Sequence, residues 1–406
     1  MIGTPPCSAL FPFKASFLIR GPGEPRLPVG VLVASTLEPE ELPWLRRHRE
    51  MQRLVETVRR LRETHVYSSE EIVRIVGERY RRVKPRRRGL RGRIELELRR
   101  LEVVFNVSYS RLVQVARLPS TREMSEFHRA LVLSFVGDEY DEALKAVRRA
   151  LRVIREFWNQ YRLLIASSQD AREAAQLRRE GSGRILSVVR RLRRRLEVLE
   201  RVRRELLRTH VVSEGLPIVV VAGIPSAGKS TLVRRLSTAE PEVAAYPFTT
   251  KTVIVGKARV GSIYFYMVDT PGILERPVEQ HNEIERKAYA ALKSLPDIVL
   301  FLVDPSPEKV QDTESQMKLL REIYHGIVEG RGAGLLVAVN KVDATPREWL
   351  EETLDTVSGA LQGIGSASLC SPRPLFISAV TGEGLGELLD VVQRCLRAKT
   401  PWLFGG

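Results

Sequence analysis

Gly223-Ile224-Pro225-Ser226-Ala227-Gly228-Lys229-Ser230-Thr231 decides how this chain is read. The apolar run Leu216 to Ala222 leads into it, and Thr231 to Leu236 reads as the opening of a helix. A Gly-rich turn between a buried strand and a helix is the context of a phosphate-binding loop, G-x-x-x-x-G-K-[ST]. Gly223 and Gly228 let backbone N–H groups close around an anion, and the helix N-terminus adds its dipole. Pro225, Ser226, Ala227 and Thr231 complete the cradle. Lys229 supplies a point charge for β- and γ-phosphates. The Ser230 hydroxyl can face Mg2+.

The elements beyond this loop, taken in their order, narrow the ligand. Tyr246-Pro247-Phe248-Thr249-Thr250-Lys251 ends a loop in which Thr250 can add a second Mg2+ ligand once a γ-phosphate is present. Strand patterns at Thr252 to Ala258 and Ser262 to Val268 flank Gly261 as a hairpin. The second runs into Asp269-Thr270-Pro271-Gly272. Asp269 can hold Mg2+ through water, and the Gly272 N–H can contact the γ-phosphate. Buried strands at Ile298 to Val303 and Gly334 to Val339 enclose a helix at Asp312 to Glu329. The second of these ends at Asn340-Lys341-Val342-Asp343. Asp343 can accept guanine N1–H and the 2-amino group, a donor pair that adenine lacks. Lys341 can pack along the base and Asn340 can brace the loops. A last strand, Leu375 to Ile377, leads to Ser378-Ala379-Val380, whose backbone can meet guanine O6, before a helix at Leu385 to Leu396. These elements in this order imply GTP or GDP as ligand, with Lys229, Thr250 and Gly272 at the chemistry. Ser230, Thr250 and Asp269 are the expected metal residues.

The preceding residues have a different character. Residues 1–215 hold 45 Lys+Arg against 27 Asp+Glu, whereas the remainder holds 20 against 22. From about residue 40 the apolar spacing is helical. Ser68-x-x-Glu71 and Ser120-x-x-Glu123 have the form of capping boxes. Tyr140, Leu144, Val147, Leu151, Ile154, Trp158, Tyr161 and Ile165 share one helix face. Gly181-Ser182-Gly183 is expected to break the chain before a second long helix carrying Ile185, Val189, Leu192, Leu196, Leu199, Val202 and Leu206. Such helices imply a bundle. Arg190, Arg191, Arg193, Arg194 and Arg195, and the basic loop Lys84 to Arg93, form either a solvated face or a contact for RNA phosphates.

The expected fold is therefore an α/β P-loop GTPase domain, a mostly parallel sheet with helices on both faces, preceded by an all-α helical bundle. The expected boundaries are a disordered extension over 1–38, a basic RNA-contacting bundle over 39–213 and the GTPase domain over 214–400. The Pro- and Gly-rich residues 1–30 could also reflect a start codon assigned too early. Cys7, Cys370 and Cys395 lie far apart in sequence and suggest a reducing, cytoplasmic compartment. No apolar run approaches the roughly 18 residues needed to span a bilayer, so no membrane is expected.

Tyr246 to Lys251, Asp269 to Leu274 and Arg276-Pro277 through Asn282-Glu283-Ile284-Glu285 resemble the Obg-related GTPases. The match is to the nucleolar GTP-binding (Nog) proteins and their archaeal counterparts. Leu118 to Leu164 resembles that family's N-terminal domain. The likeness runs over roughly residues 40–395 and stops short of the eukaryotic members' C-terminal extension, as expected of an archaeal form. It implies a Mg2+-dependent GTPase acting in large ribosomal subunit assembly. The helical domain would touch rRNA and ribosomal proteins of the precursor. Two positions depart from related enzymes. Ile273 stands where Ras-like enzymes carry a water-orienting Gln, which implies slow intrinsic turnover stimulated by the partner. Ser226 stands where many Obg-related enzymes have an Asn that helps bind potassium, so potassium dependence is not carried over. No general base is evident, and His281 reads as surface or helix-start polarity. The alternatives are a non-hydrolysing, GTP-dependent placeholder on RNA and a translation-linked GTPase whose bundle binds protein.

Overall fold

The structure is a computed structural model that describes residues 43–208, 215–247, 249, 252–329 and 331–403. The extension expected over 1–38 lies outside the described residues, as do Phe248, Thr250 and Lys251. Among the described residues no helix is long and apolar enough to cross a membrane.

Among the described residues seven helices come first: α1 (Pro43–Glu63), α2 (Ser69–Arg81), α3 (Gly89–Val115), α4 (Glu126–Phe135), α5 (Glu139–Ala166), α6 (Ala171–Arg191) and α7 (Arg193–Leu207). Helices α3, α5 and α6 pack on one another. Their apolar stripes meet in a core that fully buries Leu101, Leu112, Leu144, Ile154 and Ile185. Buried Glu97 ties two of these helices together, pairing with Arg100 at 2.6 Å and with Arg178 of α6 at 2.8 Å.

Local signals here are partly kept and partly overruled. Ser68 and Glu71 form the expected reciprocal cap of α2. At Ser120 the paired hydrogen bond also forms, with Glu123 accepting from the Ser120 N–H at 2.8 Å, but it closes a turn. The helix starts later, after Ser125, whose hydroxyl accepts from the His128 N–H. Gly181-Ser182-Gly183 does not break the chain; all three lie inside α6. Gly181 instead makes room for a neighbour, since a Cβ there would come within 2.8 Å of the Tyr161 ring. The interruption falls at Leu192, between α6 and α7. The basic loop is likewise shorter than expected, because Gly89 to Arg93 open α3.

The remaining described residues form a seven-stranded sheet flanked by helices. In chain order they are β1 (Ile218–Ala222), α8 (Lys229–Leu236), β2 (Glu242–Ala245), β3 (Thr252–Val260), β4 (Ile263–Asp269), α9 (Glu283–Leu292), β5 (Ile298–Val303), α10 (Thr313–Ile323), β6 (Gly334–Val339), α11 (Arg347–Gln362), β7 (Leu375–Phe376) and α12 (Leu385–Lys399). The sheet order is β2-β3-β4-β1-β5-β6-β7. Strands β4, β1, β5, β6 and β7 run parallel, and β3 is antiparallel to both its neighbours. Every residue of β1, β5 and β6 is buried, which explains their unbroken apolar sequences. Their carboxyl ends share one edge of the sheet, where open α/β sheets bind ligands.

The cysteines correct the compartment argument. Cys370 and Cys395 form a disulfide across 25 residues of sequence. The Cys370 N–H bonds to Leu335 O in β6 while Cys395 lies in α12, so the fold brings together what linear spacing kept apart. Their number and spacing therefore give no support for a reducing environment.

Arg47 of α1 connects the bundle to the base of the sheet. Its Nε is 2.7 Å from Asp297 Oδ1, and its two Nη atoms donate to the Ser294 and Leu295 carbonyls at 2.7 and 2.5 Å. The other Asp297 oxygen accepts from the Ile218 N–H at 2.8 Å, at the first residue of β1. Helix α4 packs on α9. Next to them, Phe127 meets the Tyr246 ring edge-on at 6.2 Å, and the Tyr246 hydroxyl donates to Ala288 O at 3.0 Å.

His128 sits inside this contact region at 1% exposure, with Nδ1 2.8 Å from Ser125 Oγ. Burial pushes its imidazole down to about 4. An unfolded histidine titrates at about 6.5, so on acidification the unfolded chain takes up the proton first. This contribution is complete above about pH 6.5 and is lost as pH falls through about 4, on the order of 3 kcal/mol in all. Urea unfolding at intervals between pH 7 and 4 should show that loss. A His128→Gln chain should show a correspondingly shallower pH dependence, and an unchanged slope would contradict the assignment.

Candidate functional site

The loop between β1 and α8 is held open by its backbone. Ser226 has φ +64°, Gly228 has φ +93° and caps α8, and Ala227 is buried behind them. Gly228 is required on two counts, since a Cβ would also meet Asn340 Nδ2 at 2.2 Å. Pro225 is half-buried, and Ser226 and Thr231 are exposed.

Lys229, only 5% exposed, is aimed back across the loop. Its ammonium donates to the Gly223 and Ile224 carbonyls at 3.0 and 2.8 Å and pairs with Glu275 Oε1 at 2.9 Å. Ser230 Oγ donates to Asp269 Oδ2 at 2.6 Å. Asp269 is fully buried at the end of β4. Its other oxygen, Oδ1, has no hydrogen-bond partner among the described residues, nor has Thr270 Oγ1. Burial pushes the Asp269 carboxyl up, and the Ser230 hydrogen bond and Lys229 charge act against that. A buried carboxylate oxygen left unmatched beside a hydroxyl is a donor set that suits a hard cation such as Mg2+. Gly272 lies three residues further on with φ +73°, its N–H donating to Glu275 Oε2 at 2.8 Å.

The residues expected to read the base follow β6 and β7. Asn340 is 2% exposed and bridges two loops: Nδ2 donates to Ala227 O at 2.8 Å, and Oδ1 accepts from the Ala379 N–H at 2.9 Å. Lys341 adopts φ +63° and places its ammonium 2.5 Å from Asp304 Oδ2. Asp343 is exposed at the start of the next turn, with no hydrogen bond or ion pair among the described residues. Ser378 is fully buried, with Oγ accepting from the Thr381 N–H at 3.0 Å, and Val380 is 68% exposed. One sheet edge thus gathers every expected residue except Thr250, which is outside the described residues.

Some of the surroundings differ from expectation. The loop expected to end at Tyr246 to Lys251 is directly preceded by an edge strand, β2. His281 is not at the surface. It is 4% exposed, with both ring nitrogens unmatched among the described residues, it lies against Tyr289, and burial lowers its pKa. Two polar residues of the site escape the sequence reading. Asp304 carries its only signal in its place after the apolar run of β5. Glu275 carries none beyond lying in the segment just past Gly272.

Comparison with known proteins gives the same order of parts. The family described as NOG1 N-terminal helical domain matches residues 47–212, and that described as 50S ribosome-binding GTPase matches residues 218–341. An uncharacterized protein of Methanocaldococcus jannaschii is 35% identical over 235 residues, 58% of this chain and 65% of that protein. Nucleolar GTP-binding protein 1 of Saccharomyces cerevisiae is 31% identical over 58% of this chain and 36% of its own length. The protein of that name from Encephalitozoon cuniculi is 28% identical over 72% of this chain and 55% of its own. The aligned region is thus less than two thirds of each of these relatives. The chain thus carries a domain like the NOG1 N-terminal helical domain directly before a P-loop GTPase domain, and over this region it is similar to the nucleolar GTP-binding (Nog) proteins.

Proposed function

We propose that this chain is a Mg2+-dependent GTP switch that hydrolyses GTP to GDP and phosphate on a precursor of the large ribosomal subunit. The observation that carries the nucleotide part is the bridge made by Asn340. Its amide ties the phosphate loop at Ala227 to the base-side loop at Ala379, so that phosphates and base are read as one ligand. In this reading the backbone from Gly223 to Thr231 wraps the phosphates and Lys229 balances their charge. Gly272 offers an N–H to the γ-phosphate. Asp343 accepts from guanine, while Ser378, Ala379 and Val380 close around its O6. Ser230 and Asp269, with Thr250, would hold Mg2+. Bound there, the ion would neutralise charge developing on the phosphates.

Ile273 is fully buried and offers no polar atom to a water molecule. That supports slow intrinsic turnover and a requirement for the ribosomal partner. The same observation favours the rival reading, a GTP-dependent placeholder that does not turn over. Single-turnover assays of the full chain, with and without large-subunit precursor particles, separate the two. The expected result is slow hydrolysis alone and a rise of roughly tenfold or more with the particle. Undetectable hydrolysis in both would remove the enzyme reading.

The partner is inferred from charge. Arg190, Arg191 and Arg194 line a groove of about 500 Å3 together with Glu139, Arg193 and Arg195; Arg193 pairs with Glu70 and Glu197 and Arg195 with Glu142, whereas Arg190, Arg191 and Arg194 have no ion-pair partner among the described residues. Three closely set guanidinium groups that no carboxylate pairs match RNA phosphates. Aromatic residues do not line this groove, so contact is to the backbone of rRNA rather than to its bases. A cytoplasmic location accords with that partner. The affinity of the full chain for rRNA fragments should fall steeply with salt. Replacing Arg190, Arg191 and Arg194 by Ala should lower the slope of log K against log salt by about 1 for each phosphate that is no longer neutralised. An unchanged slope would favour a protein partner for the bundle.

A further inference from the structure

We propose that Glu275 is a built-in competitor of the γ-phosphate and sets the preference between GTP and GDP; this rests on the guanine-nucleotide reading above. Its carboxylate engages the two groups assigned to the γ-phosphate. One oxygen pairs with Lys229 Nζ at 2.9 Å, and the other accepts from the Gly272 N–H at 2.8 Å. A carboxylate and a phosphoryl group both present anionic oxygens to such donors, and both gain the extra strength of a charge-assisted hydrogen bond. The two cannot hold the same N–H and the same ammonium at once.

The contact has the features of a defined position. Glu275 is largely buried, with a side chain 18% exposed. The segment carrying it is pinned to the phosphate loop by its own backbone, since the Gly223 N–H donates to Leu274 O at 3.2 Å. Ile273 and Leu274, which flank and form that bond, are buried. The next residue passes the contact on: Arg276 pairs with Glu285 at 2.7 Å. Glu285 caps α9 together with Asn282, and α9 packs on α4 of the helical domain. A γ-phosphate that takes Lys229 and Gly272 therefore displaces Glu275 and loosens the segment that leads into α9. GDP contacts Lys229 through its β-phosphate but makes no demand on Gly272, so it competes with only half of the carboxylate's hold.

The test is calorimetry on the full chain in Mg2+ buffer, with GDP and the non-hydrolysable GTP analogue GppNHp as ligands. Wild type is compared with Glu275→Gln and with Glu275→Ala, the second guarding against a defect peculiar to the amide. Thermal melts establish that each variant folds. Removing the carboxylate should raise the affinity for GppNHp relative to GDP by about tenfold, the measure of one charge-assisted hydrogen bond. Amide hydrogen exchange at residues 272–276 should also be faster in GDP-bound Glu275→Gln than in GDP-bound wild type. An unchanged GppNHp-to-GDP ratio in folded variants that bind GDP overturns the proposal, as does a ratio that falls. Absence of binding by wild type to either nucleotide would overturn the guanine-nucleotide reading itself and this proposal with it.

Discussion

An ammonium group shielded from water needs counter-charges and acceptors within reach, or it costs several kcal/mol. Lys229 is such a group, and the sheet edge is arranged around it. Two carbonyls of the loop it belongs to and one carboxylate from the segment beyond β4 surround it. The strands bring those acceptors together. β1 delivers the loop, and β4, its parallel neighbour, delivers Asp269 and then the segment to Glu275. A sheet with all its central strands buried fixes these positions far more tightly than the loops could alone.

The sheet and its flanking helices are coupled to the helical bundle at two places. At the base, Arg47 and Asp297 lock α1 to the start of β1. Arg47 is donor to three separate groups there, and Asp297 has both oxygens engaged, so the pair is satisfied in the way a buried ion pair must be. Elsewhere α4 meets α9, and the Tyr246 hydroxyl, beside Phe127 of α4, donates to Ala288 O of α9. The bundle is thus anchored at the base of the sheet, while another contact is with α9, the helix that follows the segment from Asp269 to Glu275. This division is what the proposed coupling of nucleotide state to RNA binding would use.

How much the sequence discloses depends on the range of the interactions. The phosphate loop, Asp269, Asn340 and Asp343 are legible because each is a short motif at the end of an apolar run, and the chain order of the runs fixes the sheet. Asn340 is legible even in its bracing role. The misreadings all depend on distant partners. Gly181 looks like a helix breaker until Tyr161, twenty residues earlier, is seen to need the space. Ser120 and Glu123 make their local pair, yet the helix starts only after Ser125, whose N–H donates to Thr57 Oγ1 of α1. Strand β2 is four residues long and is defined by pairing with β3 rather than by its own composition. Cys370 and Cys395 meet only because β6 and α12 are neighbours in the folded chain. Glu275 and Asp304 are ordinary acidic residues until the structure shows which cations they face.

Everything proposed for this edge requires that it accept a guanine nucleotide. Calorimetric titration of the pure full chain in Mg2+ buffer, with GTP, GDP and ATP in turn, addresses that requirement. Binding of both guanine nucleotides with dissociation constants of about 10 μM or tighter, a free energy near −7 kcal/mol, and no measurable heat with ATP, is the predicted outcome. Equal heats for ATP and GTP would contradict the base-reading role of Asp343, and no heat with any of the three would contradict nucleotide binding at this edge altogether.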